Sequence, residues 1–262
     1  MHHLISKHDA FIDVPLRVFV GYDHAESIAW HVLNHSIQRR ASVPVSVTPV
    51  MMSQLDSKSE MEVMWREHDP MQSNEFAFSR WLVPFLAGFE GWAVFMDCDM
   101  VVRTDICELF HEADPHTAVQ VVKHNHKPKE KTKYLGNIQT QYERKNWSSV
   151  MLFNCAHPSN EVLVPDNINE WHGLDLHQFK WLDEDLVGEL PHEWNVLADY
   201  DSPEDYPDPK LIHYTRGGPW FHEFRQCDWA DEWVDERLDM LHADQLEFMV
   251  RKSEVETLSG SG

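Results

Sequence analysis

Apolar residues fall in short blocks along this chain, and the spacing within each block predicts its conformation. Leu16–Val20 is an apolar run closed by Gly21-Tyr22-Asp23, the pattern of a buried strand ending in a turn. Between His24 and Ile37 the residues Ile28, Val32, Leu33 and Ile37 share one helical face. Val43–Met52 is rich in β-branched residues and predicts a second strand. Ser53–Ser73 is polar, a long loop or an irregular helix. Phe76–Phe89 has helical spacing, with Gly88 near its end, and predicts a helix in spite of Pro84. Trp92–Met96 is wholly apolar and predicts a third strand. Further on, the chain predicts a short helix at Asp105–Phe110, strands at Thr117–Val122, Val150–Phe153 and Leu211–Tyr214, and a short acidic helix at Trp181–Leu190. An amphipathic helix at Ala230–Lys252 comes last. His124–Tyr142, with Lys127, Lys129, Lys131 and Lys133, reads as a solvated loop. The β-α-β-α-β order predicts an α/β fold with an open, mostly parallel sheet and flanking helices. No internal repeat or linker divides it, so a single domain over residues 1–262 is expected, its core spanning 16–225.

In such a sheet, ligands bind beyond the carboxyl ends of the strands. The third strand carries Asp97-Cys98-Asp99 at that end. Residues i and i+2 of an extended chain point the same way, so Asp97 and Asp99 face one point while Cys98 turns away. Two carboxylates so close repel unless a cation lies between them. An open site with two oxygen ligands suits Mg²⁺ or Mn²⁺.

Composition sharpens this reading. With 44 acids against 22 bases the formal charge is −22, which argues against nucleic acid or an anionic membrane as partner. A phosphate-bearing substrate needs local neutralisation by a cation and a few arginines. Four cysteines without C-x-x-C spacing read as free thiols in a reducing compartment. No signal peptide and no apolar run of about 18 residues is evident, so the cytoplasm is the expected location.

Taken in order, five segments resemble the glycogenin and bacterial galactosyltransferase family, the retaining glycosyltransferases of family 8 with a GT-A fold. They are Val18–Asp23, Phe78–Pro84, Phe95–Asp99, the set Trp147–Asn154 with Asp183–Asp185 and Leu190–Asn195, and His213–Trp220. The resemblance implies transfer of a sugar from a nucleoside diphosphate sugar, a uridine diphosphate donor by preference, to an acceptor hydroxyl. It assigns Asp97, Asp99 and His213 to a divalent metal ion. An imidazole ligand favours Mn²⁺ over Mg²⁺. Val20, Tyr22, Asp23 and Cys98 would line the nucleotide. Arg80 would reach phosphate or donor sugar, and Arg216, Gly217 and Gly218 would approach the diphosphate. Asp183 and Glu184 would orient donor hydroxyls or stabilise positive charge at the anomeric carbon, with Glu184 the one candidate nucleophile. The chain departs from the family at Gly218, where a lysine is usual, and at Glu184, where the family has glutamine.

Two other readings stand beside it. Asp97-Cys98-Asp99-Met100-Val101 also fits a haloacid-dehalogenase-type phosphohydrolase, with Asp97 attacking phosphorus. A nucleotide-sugar-binding protein without catalysis is the other, and Glu184 and Gly218 are its support.

Overall fold

The computed structural model describes residues 3–56, 58–67, 72–125, 135 and 143–242. It opens with a hairpin that the sequence does not announce, because its strands are only three residues long: β1 (His3–Ile5) against β2 (Phe11–Asp13). Then come β3 (Leu16–Gly21), α1 (Ser27–Arg40), β4 (Val45–Val50), α2 (Val83–Leu86), β5 (Trp92–Met96), β6 (Met100–Val102), α3 (Cys107–Phe110) and β7 (Val119–Val121). The second half holds β8 (Val150–Asn154), α4 (Pro165–Glu170), α5 (Gly173–His177), β9 (Val187–Glu189), β10 (Val196–Leu197) and β11 (Leu211–His213). A helix, α6, runs from 230 to 242, where the described residues end.

Six strands form the central sheet in the order β4-β3-β5-β8-β7-β9. Pairing is parallel except on either side of β8, so β8 alone runs against the other five. The N-terminal end of β8 therefore lies at the edge where the other strands finish, with Val150 opposite Met96. β5 and the first four residues of β8 are buried on both faces, which explains their unbroken apolar runs. A second sheet, β10-β11-β6, stands beyond that edge, with β11 antiparallel to β6 and parallel to β10. Around it Val32, Val101, Ile212, Tyr214 and Trp233 make a separate small core.

Two expected helices take other forms. Phe76–Phe89 is not one helix: a 3-10 turn, Ser79–Leu82, leads into the four-residue α2. Pro84 sits in the first turn of α2, where its missing N–H costs nothing. Gly88 and Phe89, at φ 70° and 54°, end the segment in left-handed backbone. Trp181–Leu190 is not a helix either. Glu184 and Asp185 lie in a 3-10 turn at Glu184–Leu186, with Asp183 its entry residue, and the chain then becomes β9 beside β7. Gly188 allows this, since a Cβ there would lie 2.7 Å from Gln120 and 2.9 Å from Thr117. Lys127, Lys129, Lys131 and Lys133, and the terminal helix from 243 to Lys252, lie outside the described residues. Among the described residues no helix is long and apolar enough to cross a membrane.

Candidate metal centre

The turn from β5 to β6 carries both aspartates, with Cys98 and Asp99 in a bend rather than in the extended chain that the sequence predicts. Asp97 and Asp99 face the sheet edge, while Cys98 is fully buried. Burial, reinforced by the surrounding carboxylates of Glu26, Asp99, Asp97 and Asp23, pushes the Cys98 thiol well above its ordinary range. The Asp97 amide donates to the Ser149 carbonyl at 2.9 Å, and the Tyr214 amide to the Asp99 carbonyl at 2.9 Å. These two bonds tie the turn to the start of β8 and to the end of β11. His213, the last residue of β11, is thereby brought to the carboxylates. One ligand atom from each of Asp97, Asp99 and His213 lies within 4.8 Å of the others. The His213 Nε2 is 3.4 Å from Asp99 Oδ1.

Arg80 lies beneath this group. Its guanidinium is buried between the Phe76 and Phe95 rings, 5.1 Å from each centroid, and donates to Asp97 Oδ1 and to the Ser148 carbonyl, both at 2.8 Å. Phe76 in turn packs against Gly21, where a Cβ would meet the ring at 2.3 Å. Ser148 Oγ lies 2.7 Å from Nδ1 of His177, a histidine at the end of α5 whose pKa is held well below the ordinary value, first by burial and then by the Arg80 charge.

On the far side, His213 Nδ1 is 3.0 Å from Oδ1 of the fully buried Asn195. With that nitrogen donating to the amide oxygen, Nε2 is the ring nitrogen that faces Asp99. Two carboxylates and one imidazole nitrogen suit a divalent ion of intermediate softness, so the residues fit the metal that the resemblance implies.

The remaining predicted residues are distributed around this edge. Val20 is wholly buried within β3. Tyr22 meets His24 edge-on and Trp30 at a tilt, at 5.3 and 6.1 Å. Asp23 caps the turn His24–Glu26 and also accepts from the Glu75 amide at 3.2 Å; burial raises its pKa. Arg216 turns toward Asp199 at 3.2 Å, with the rings of Tyr200 and Phe224 within 6.0 Å. Gly217 has φ 128°, and Gly218 lies under the Trp220 ring. Asp183 and Glu184 are exposed, and Glu184 pairs with Arg144. Sequence reasoning did not single out Asn195 or His177. Asn195 closes the segment Leu190–Asn195, so its place was visible although its role was not.

A protein of known sequence lies near this one. Protein CDI of Arabidopsis thaliana is 44% identical over 225 residues, which are 85% of this chain and 86% of that protein. The chain belongs to the protein CDI family. No protein-family model matches it. Among solved structures, this CDI-family chain is similar to the apo bifunctional glycosyltransferase WbbM, with TM-score 0.59 and 18% identity over 88% of the chain and 51% of WbbM. It is also similar to apo GlyE of Streptococcus pneumoniae TIGR4, with TM-score 0.55 and 18% identity over 91% of the chain and 64% of GlyE. The galactosyltransferase LgtC, solved with donor and acceptor sugar analogs, gives TM-score 0.51 and 12% identity over 85% of the chain and 95% of LgtC. The chain thus spans about half of WbbM and less than two thirds of GlyE. These likenesses establish the GT-A fold for the CDI-family chain, and with it they set aside the haloacid-dehalogenase architecture.

Proposed function

We propose that the chain is a glycosyltransferase of the retaining family 8 type, moving a sugar from a nucleoside diphosphate sugar, a uridine diphosphate donor by preference, to an acceptor hydroxyl. The observation that carries this reading is the convergence of Asp97, Asp99 and His213, drawn from segments more than a hundred residues apart, at the ligand-binding edge of a GT-A sheet. The enzymes with this fold supply the prior: WbbM and GlyE are named glycosyltransferases, and LgtC was solved with sugar analogs.

In this reading a divalent ion, Mn²⁺ by preference, is held by Asp97, Asp99 and His213. When bound it supplies Lewis-acid stabilisation of the charge that grows on a diphosphate leaving group. Arg80 fixes Asp97 in a ligating pose and adds a buried positive charge below the leaving group. Tyr22 and Asp23 hold base and ribose. The backbone amides at Gly217-Gly218 approach the diphosphate, with Trp220 packed over Gly218. Asp183 and Glu184 orient donor hydroxyls once Glu184 leaves Arg144. All four cysteines are free thiols, which supports a reducing compartment such as the cytoplasm.

Thermal shift with a panel of nucleoside diphosphates and their sugars, with and without Mn²⁺, tests the proposal. A ligand at a hundredfold its Kd stabilises by about 2.7 kcal/mol, enough to raise Tm by several degrees in a protein of this size. Uridine diphosphate and Mn²⁺ together are expected to stabilise the wild type and not Asp99→Asn. Absence of any nucleotide- and metal-dependent shift in the wild type would overturn the proposal. Donor binding without transfer or hydrolysis would leave a binding protein.

A further inference from the structure

We infer that Asn195 is a positioning residue that sets the tautomer of His213, so that Nε2 is the ring nitrogen offered to the metal. The inference rests on the metal-dependent reading above and goes beyond it.

Its basis is a chain of hydrogen bonds with one permitted direction. The Asn146 carbonyl can only accept. Ser149 Oγ lies 2.7 Å from it and must donate its proton there. That leaves Oγ as an acceptor, 2.8 Å from the Asn195 side-chain amide. The amide must therefore present nitrogen to Ser149, and the same nitrogen lies 3.4 Å from the Asn146 carbonyl. A flipped amide would set its oxygen against that carbonyl and against a hydroxyl whose proton is already committed. So Oδ1 faces His213, 3.0 Å from Nδ1, and demands a proton on Nδ1. Asn146, Ser149, Asn195 and His213 are all buried, so water does not readily substitute for any link. The direction is imposed by a backbone carbonyl, which cannot titrate or rotate. Asn146 holds it by its left-handed backbone at φ 66°, just before the 3-10 turn Trp147–Ser149. Ser149 also takes the Asp97 amide on its own carbonyl, so one residue governs the aim of two metal ligands.

Three measurements on the full chain test this. Nitrogen-15 NMR of the metal-free protein at pH 8, with the His213 signal identified by its loss in His213→Ala, should show hydrogen on Nδ1. Asn195→Leu removes the acceptor; the Nδ1-bound form should no longer dominate, and Mn²⁺ affinity, read from free Mn²⁺ by electron paramagnetic resonance, should fall about 10–100-fold. Asn195→Asp keeps an acceptor for Nδ1 and should retain the tautomer, at a loss of stability because its second oxygen meets the Asn146 carbonyl and the committed Ser149 hydroxyl. A proton on Nε2 in the wild type, or a folded Asn195→Leu with unchanged tautomer and affinity, would overturn the inference. If Asn195→Leu does not fold, the wild-type spectrum and Asn195→Asp still decide. Failure of the wild type to bind Mn²⁺ at all would sink the metal-dependent reading instead, and the spectra would continue to judge Asn195.

Discussion

At Gly218 a single added carbon would lie 2.0 Å from the ring of Trp220. The resembling family places a lysine at this point; in this chain the Trp220 ring covers it. Trp220 is packed against Tyr214 at 5.8 Å and Trp233 at 5.2 Å, so it has little room to yield. Gly218→Lys is expected to displace the indole and to destabilise the fold by about 1–3 kcal/mol, the usual range for overpacking. Tryptophan emission and a melting curve read both effects; a variant that matches the wild type in both would show that Trp220 yields freely. Arg216 is paired with Asp199 in the structure. Other residues of the site differ in how far the sequence reveals them. Asp97 and Asp99 are legible as a carboxylate pair at the end of an apolar strand, although a bend rather than strand alternation carries them. His213 needed the resemblance. The pairing of Arg80 with Asp97, and of Asn195 with His213, depends on which segments meet across the sheet edge, and no local pattern encodes that.

Helix α6 is fastened to α1 by one buried carboxylate. Glu236 lies 2.6 Å from His35 Nδ1, 2.7 Å from Arg40 and 3.7 Å from Arg39, while Asp239 also takes Arg39. Trp233 enters the small core one turn earlier, and the Tyr214 hydroxyl donates to the Trp229 carbonyl at 2.8 Å. The helix thus braces the residue that follows His213. Glu236→Ala should cost about 1–3 kcal/mol, since the partners are left with fewer acceptors but partial access to water. Hydrogen exchange should quicken across 230–242 while β5 and β8 stay protected; uniform loosening of both would argue against a local brace. The same distinction between local and distant causes separates legible elements from illegible ones. β5 and β8 are doubly buried and read as strands from their runs alone. β9 carries an acidic, helix-like entry and becomes a strand only because β7 offers an edge and Gly188 lets it approach. The helical spacing at Phe76–Phe89 reflects burial around Arg80 rather than continuous helix.

Across the whole molecule, stability should depend on pH through His177. Its ring is buried with a depressed pKa, so the fold keeps it neutral. Above the ordinary value of about 6.5 both folded and unfolded chains carry a neutral ring and nothing is lost. Below it the unfolded chain takes up a proton that the fold refuses, and stability falls by up to about 1.4 kcal/mol per pH unit until the folded pKa is reached. Denaturation midpoints between pH 8 and 5 should decline in the wild type and flatten in His177→Asn; parallel profiles would show that another group is responsible. The pairing of β6 with β11 has a different consequence, in time rather than in energy. β6 leaves the ribosome directly after β5, yet the strand that covers it, Leu211–His213, is made more than a hundred residues later. Throughout that interval Met100–Val102 presents an open edge to any extended segment nearby, the kind of edge at which nascent chains associate. Asp97 and Asp99 stand beside it until His213 joins them. Until residue 213 has been made, protection of that edge falls to a chaperone or to the speed of synthesis.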